Sequence, residues 1–107
     1  MLEKDTQKVI LEYLRLKKIF HWRNNTGAFL AERKGKQNFI RYGAPGSPDI
    51  FVLRDGILFG FEVKSDKGKQ SDLQKEFEQQ MTQNGGWYYV VRSLDEVIKI
   101  LKEKHAP

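Results

Sequence analysis

Two acids and a lysine are the residues of this sequence whose types and spacing point to chemistry. Asp49 precedes the apolar run Ile50-Phe51-Val52-Leu53, and Glu62 and Lys64 close the alternating run that begins at Ile57. In an extended strand residues i and i+2 share a face, so Glu62 and Lys64 point the same way while Val63 enters the core. Asp55-Gly56 is hairpin chemistry between the two runs and makes them antiparallel neighbours. Pairing about that turn joins positions whose numbers sum to about 111, which sets Asp49 opposite Glu62. Carboxylates beside apolar strands are costly to keep charged unless a divalent cation compensates them. Oxygens from Asp49 and Glu62, with the Val63 carbonyl, water and phosphate, suit Mg²⁺, with Mn²⁺ as a substitute. Such a metal polarises a phosphodiester and acidifies a bound water, while Lys64 orients that water or offsets charge in a phosphorane-like transition state. The competing reading is a structural cluster in which Lys64 neutralises Glu62 and Asp49 caps the loop after Pro48.

The elements that must position these groups follow from periodicity and turn chemistry. Val9, Ile10, Tyr13, Leu14, Leu16 and Ile19 recur at helical spacing over residues 4–19. Phe20 to Arg23 reads as a short strand, ended by Asn24-Asn25-Thr26-Gly27. A hairpin is predicted with arms Ala28 to Glu32 and Asn38 to Tyr42, and with the cationic tip Arg33-Lys34-Gly35-Lys36 as a DNA-contacting finger. Gly43 to Pro48 supports neither helix nor ladder and is a loop delivering Asp49. Ile50 to Leu53 is predicted as a strand buried on both faces. Residues 71–84 form a helix with Leu73, Phe77 and Met81 on one stripe, ended by Gly85-Gly86. Trp87 to Arg92 is predicted as a central strand, and Ser93 with Glu96 opens a last helix that runs to Lys104. The order is helix, strands, helix, strand, helix, with no repeat or linker across residues 1–107, one α/β domain.

Composition narrows the function classes. The chain has 107 residues, a net charge of +5, no cysteine and two distant histidines, which excludes disulfide scaffolds and Cys-ligated zinc. No stretch approaches the roughly 18 apolar residues of a membrane span. The acidic start Met1-Leu2-Glu3-Lys4-Asp5 is unlike a signal peptide, so a soluble protein without a membrane partner is expected, in the cytoplasm or, for a viral protein, the host cytoplasm. Eight cations stand against Glu32 alone between Arg15 and Tyr42, so this stretch carries the whole excess. A solvated surface is one reading of it and a phosphate-tracking face the other. Arg23, Asn25, Arg33, Lys34, Lys36 and Arg41 are the candidate DNA contacts there, with Lys67 and Lys69 beside the acids. Trp22, Trp87, Tyr88 and Tyr89 are expected in the core rather than on bases, and His21 has no partner in sequence.

Gly46-Ser47-Pro48-Asp49, then Glu62-Val63-Lys64 after a hairpin, then Gln74 in the next helix resemble the motif series of the PD-(D/E)XK nuclease superfamily. With Trp22-Arg23-Asn24-Asn25 the wider pattern resembles the VRR-NUC branch, the virus-type replication and repair nucleases, over nearly the whole chain. The resemblance implies a restriction-endonuclease-like αβββαβ core with a mixed sheet, metal ligation by Asp49 and Glu62, a catalytic Lys64 and a supporting Gln74. It further implies Mg²⁺-dependent, structure-selective endonuclease action on branched DNA such as a Holliday junction or flap, a homodimer, and in some members a phage setting. An acid in the first helix completes such sites; Glu3, which opens Glu-x-x-x-Gln with Gln7, and Glu12 both qualify. Gln74 has a second reading, since Ser71-Asp72-Leu73-Gln74 is a capping box in which it would bond back to Ser71. A binding module without turnover is the alternative function, and acids facing a polyanion argue against it.

Overall fold

The computed structural model describes residues 1–106, arranged in the order α1 (Glu3–Leu16), β1 (His21–Arg23), β2 (Gly27–Arg33), β3 (Lys36–Tyr42), β4 (Ile50–Arg54), β5 (Ile57–Val63), α2 (Asp72–Gln83), β6 (Trp87–Val91) and α3 (Leu94–Lys102). Strands β1, β4, β5 and β6 form one mixed sheet in that spatial order, antiparallel except for the parallel β5–β6 pair, while β2 and β3 form a separate two-stranded sheet. The α/β class with a mixed sheet and an αβββαβ core is the architecture expected from the sequence. Among the described residues no helix is long and apolar enough to cross a membrane.

Each helix is fixed by one stripe and its caps. On α1 the buried stripe is Thr6, Ile10 and Leu14 at a spacing of four. Val9 and Leu16, expected in the core, are 39% and 65% exposed, because a helix packed on one sheet face buries one narrow line of side chains. Ile10 and Leu14 join Ile50, Val52, Phe59, Phe61, Val63, Val91, Val97 and Leu101 in the core between the sheet and the α1 and α3 pair. Burying each of the larger of these side chains is worth about 1.5–3 kcal/mol. Helix α3 is N-capped by Ser93, whose side chain accepts from the Glu96 amide; the Glu96 carboxylate accepts from the Arg92 amide, one residue before the position a full capping box uses.

Three sequence expectations need correction. Strand Trp87–Val91 is an edge strand, since among the described residues nothing pairs on its far side and the chain passes instead to α3. In β4 the burial alternates, with Ile50 and Val52 enclosed and Leu53 41% exposed, because helix α2 covers the β5 and β6 side of its face and leaves the β1 and β4 side bare. Leu73 is 51% exposed rather than part of the α2 stripe, where only Met81 is buried; it sits over the base of the β2–β3 hairpin instead.

Gly60 decides how closely the second layer approaches the sheet. A Cβ there would lie 2.6 Å from Pro48 Cγ and 3.3 Å from the Met81 side chain. Glycine therefore lets the loop before β4 and helix α2 rest directly on β5. Gly60→Ala is expected to destabilise the domain by about 1–3 kcal/mol through overpacking, read as a lower urea midpoint at unchanged m value.

Candidate active site

The register of β4 on β5 runs from Ile50 opposite Phe61 to Arg54 opposite Ile57, so every pair sums to the value expected for an Asp55-Gly56 turn. Both turn residues have positive φ, 53° and 77°, the geometry of a two-residue hairpin turn. One step beyond Ile50 the register sets Asp49 beside Glu62. Asp49 Oδ2 accepts a hydrogen bond of 2.8 Å from the Val63 amide, so the loop acid is tied to the strand that carries its partner.

Glu62 is only 4% exposed. Burial, followed by hydrogen bonding and charge repulsion from Asp49, pushes its carboxyl up to about 8, with Lys64 pulling the other way. Lys64 does not close an ion pair with either acid, because among the described residues the one pair within 4 Å is Arg54 with Asp55 on the surface, at 3.9 Å. The acids thus form an electrostatically under-compensated pair of hard oxygen donors, and that donor set fits a divalent cation. Asp49 and Glu62 would hold it, with Val63 contributing its carbonyl. Among the described residues no three His, Asp or Glu side chains already converge at metal-binding spacing. Glu3 nonetheless lines the same small cavity of about 170 Å³ as Gln7, Asp49 and Val63, while Glu12 faces a different groove with Val9 and Leu16. A larger cavity of about 740 Å³ lies at the Asp55 end of the sheet, and neither Asp49 nor Glu62 touches it.

Several supports were invisible in the sequence. The Asn24 amide donates to Ser47 Oγ at 2.7 Å and to the Pro48 carbonyl at 2.9 Å, and the Asn24 backbone amide donates to the Asp49 carbonyl at 2.7 Å. Ser47 Oγ in turn donates to the Ala44 carbonyl at 2.7 Å, so one asparagine behind β1 fixes the loop that presents Asp49. Gly46, at φ 78°, lies against the Leu73 carbonyl where a Cβ would come within 2.2 Å, and this seats the loop on the start of α2. Tyr88, expected as core, is buried, and its hydroxyl donates to Glu62 Oε1 at 3.4 Å. Burial and the Glu62 charge push that phenol up, so it remains a donor. Gln70 approaches the same hydroxyl and donates to Glu78 at 2.9 Å. The β5–β6 register brings Tyr88 and Val90 to the face of Gly60 and Glu62, a parallel pairing that no local pattern specifies.

The other sequence-named residues divide into two groups. Gln74 occupies the capping box, its Oε1 accepting from the Ser71 amide at 2.9 Å while its own amide donates to Ser71 Oγ at 3.2 Å. Lys67 and Lys69 are exposed on the loop after Lys64, which the Arg92 guanidinium pins through the Ser65 and Gly68 carbonyls. Arg23 and Asn25 lie at the sheet edge, whereas Arg33, Lys34, Lys36 and Arg41 ride on the separate hairpin. Trp22 is 41% and Trp87 37% exposed, more than a core role predicts. His21 is spent on the Ile19 carbonyl at 2.7 Å.

A mixed sheet with helices on both faces and two acids meeting where β4 begins and β5 ends defines an α/β domain with a candidate site at that strand end. A solved structure described as a VRR_NUC domain superposes on 98% of this chain and 99% of its own, with a TM-score of 0.66 at 20% identity. The protein has the VRR_NUC domain fold, in agreement with the resemblance read from its motifs. In sequence the chain matches no family model and no curated protein.

The raised Glu62 carboxyl sets the pH dependence of stability. Its folded value lies above its unfolded value of 4.5, so the native state holds the proton more tightly and stability falls as pH rises from about 4.5 to about 8. Glu62→Gln removes that loss. The variant is expected to melt above wild type at pH 8 and to converge with it toward pH 4, each ~1 kcal/mol recovered moving Tm by roughly 4–8 °C.

Proposed function

We propose that this protein is a divalent-metal-dependent endonuclease that hydrolyses phosphodiester bonds in branched DNA and acts as a homodimer. The observation that carries the reading is the pairing of Asp49 with a buried Glu62 that, among the described residues, no cation meets in an ion pair. The likeness in fold to a VRR_NUC domain supports it, as does the motif series from Gly46 to Gln74.

Bound between the acids, Mg²⁺ or Mn²⁺ would neutralise phosphate charge and make a coordinated water nucleophilic. The chain's own groups do the rest. Asp49 is held by the Val63 amide and its loop by Asn24, so its carboxylate is preorganised. Tyr88 holds one oxygen of Glu62, Oε1, in place. Lys64, on the Glu62 side of β5, is placed to meet negative charge that builds on the phosphate during in-line attack. Lys67 and Lys69 face solvent beside it and serve the flanking phosphates. Glu3 joins the site from α1, and Gln74 supports it through the start of α2 while capping that helix.

The dimer has its own support. Phe20, Trp22, Phe51 and Leu53 line one face of β1 and β4 beyond the reach of α2, with ring centroids 5.9 Å apart for Phe20 and Trp22 and 5.2 Å for Trp22 and Phe51. Phe20 is 65% exposed there, an apolar face that a twofold copy would cover.

Cleavage of fluorescent flap and four-way-junction substrates by wild type, and its loss by about 10² or more in Asp49→Asn, is the expected outcome with Mg²⁺. Binding by both proteins with cutting by neither would make this a binding module. Mn²⁺ should raise the Tm of wild type and leave that of Asp49→Asn unmoved, since a ligand of the folded state stabilises it by mass action. Light scattering should give the mass of two chains, and Trp22→Asp should halve it.

A further inference from the structure

Strands β2 and β3 pair along their whole length, from Gly27 with Tyr42 to Arg33 with Lys36, and form no packed layer with any other element. Their two-residue turn, Lys34-Gly35, has φ values of 54° and 74°. At seven residues per arm the hairpin is about 20 Å long. An isolated hairpin in water is marginal unless something covers it. Here, beyond the base where Leu73 and Pro45 approach, both faces are open and both are aromatic.

The register sorts the side chains. Phe29, Ile40 and Tyr42 stand on one face, with Phe29 and Tyr42 ring centroids 6.1 Å apart, and Leu30 and Phe39 stand on the other. Phe29 is 50%, Leu30 62% and Phe39 61% exposed. Arg41 lies over the Phe39 ring at 5.4 Å. Charge excludes a second hairpin as the cover, because Arg33, Lys34, Lys36 and Arg41 face Glu32 alone and two such surfaces repel. A polyanion matches the charge, and only one whose bases are unstacked offers ring faces to the exposed aromatics. Continuous duplex hides those faces.

We propose that the β2–β3 hairpin is a strand-parting blade: it enters a DNA branch point, unpaired bases stack on Phe29 and Tyr42 on one face and Phe39 on the other, and Arg33 and Lys36 hold the diverging phosphates. This rests on the nuclease reading for DNA as the substrate and adds what the protein recognises in it. The loop from Gly43 to Pro48 runs from the blade directly to Asp49, and Gly43, where a Cβ would come within 2.5 Å of the Asn25 carbonyl, locks the hairpin base to the end of β1. The branch is thereby delivered a fixed distance from the acids.

The test is binding in EDTA, followed by anisotropy, to a Y-fork carrying 2-aminopurine at the branch and to a continuous duplex of equal length. Wild type is expected to bind the fork about tenfold or more tighter than the duplex, as one or two stacked bases provide, and to change the 2-aminopurine emission. Phe29→Ala with Phe39→Ala, both surface positions, should keep the circular dichroism and the duplex affinity while losing the fork preference. A double variant that is folded by circular dichroism yet retains the preference, or a branch-point signal that wild type leaves unchanged, overturns the blade and leaves the nuclease standing. So does a double variant whose mass falls from two chains to one, since the hairpin would then be covered by a second copy. Wild type that binds neither DNA overturns the nuclease reading itself, and the blade with it.

Discussion

The meeting of two carboxylates at one strand end is the constraint around which this domain is arranged. Like charges brought together in a poorly solvated place must be paid for by protonation, by a counter-charge or by preorganised donors. This protein uses the first and the third: Glu62 keeps its proton far above the usual carboxylate range, and Asp49 and Glu62 each lean on one fixed donor, the Val63 amide and the Tyr88 hydroxyl. The second remedy is what the proposed divalent cation would supply. Much of the local architecture, from the glycine under Pro48 to the asparagine behind β1, serves to keep the acids from moving apart.

Which parts of this arrangement could be read from the sequence follows from how local their causes are. The Asp55-Gly56 turn fixes the β4–β5 register by itself, and with it the position of Asp49 against Glu62. The capping box at Ser71 and the helix stop at Gly85 are equally local. The edge position of β6, the donor role of Tyr88 and the grip of Asn24 on Pro48 depend on pairings across 24 to 28 residues of chain, which periodicity does not encode. The exposed Leu53, Leu73 and Trp22 misled for a related reason: an apolar residue on a strand or helix reports a surface seeking cover, not whether that cover comes from the same chain.

The separation of charge from core has the same logic. The whole basic excess rides on the segment between α1 and the Asp49 loop, most of it off the packed sheet, and the acids sit at the junction of the two parts. Electrostatic attraction for a polyanion and the local repulsion it must overcome are thus held on different pieces of backbone.

The shortest strand of the sheet has an outsized part in this. His21–Arg23 contributes only three pairs to β4, yet the residue just past its end holds three atoms of the loop that carries Asp49. Edge strands this brief breathe well below the temperature at which a sheet melts. On warming, the grip on the Asp49 loop is therefore expected to loosen while the hydrophobic interior is still intact, so the alignment of the two acids has a lower thermal ceiling than the fold.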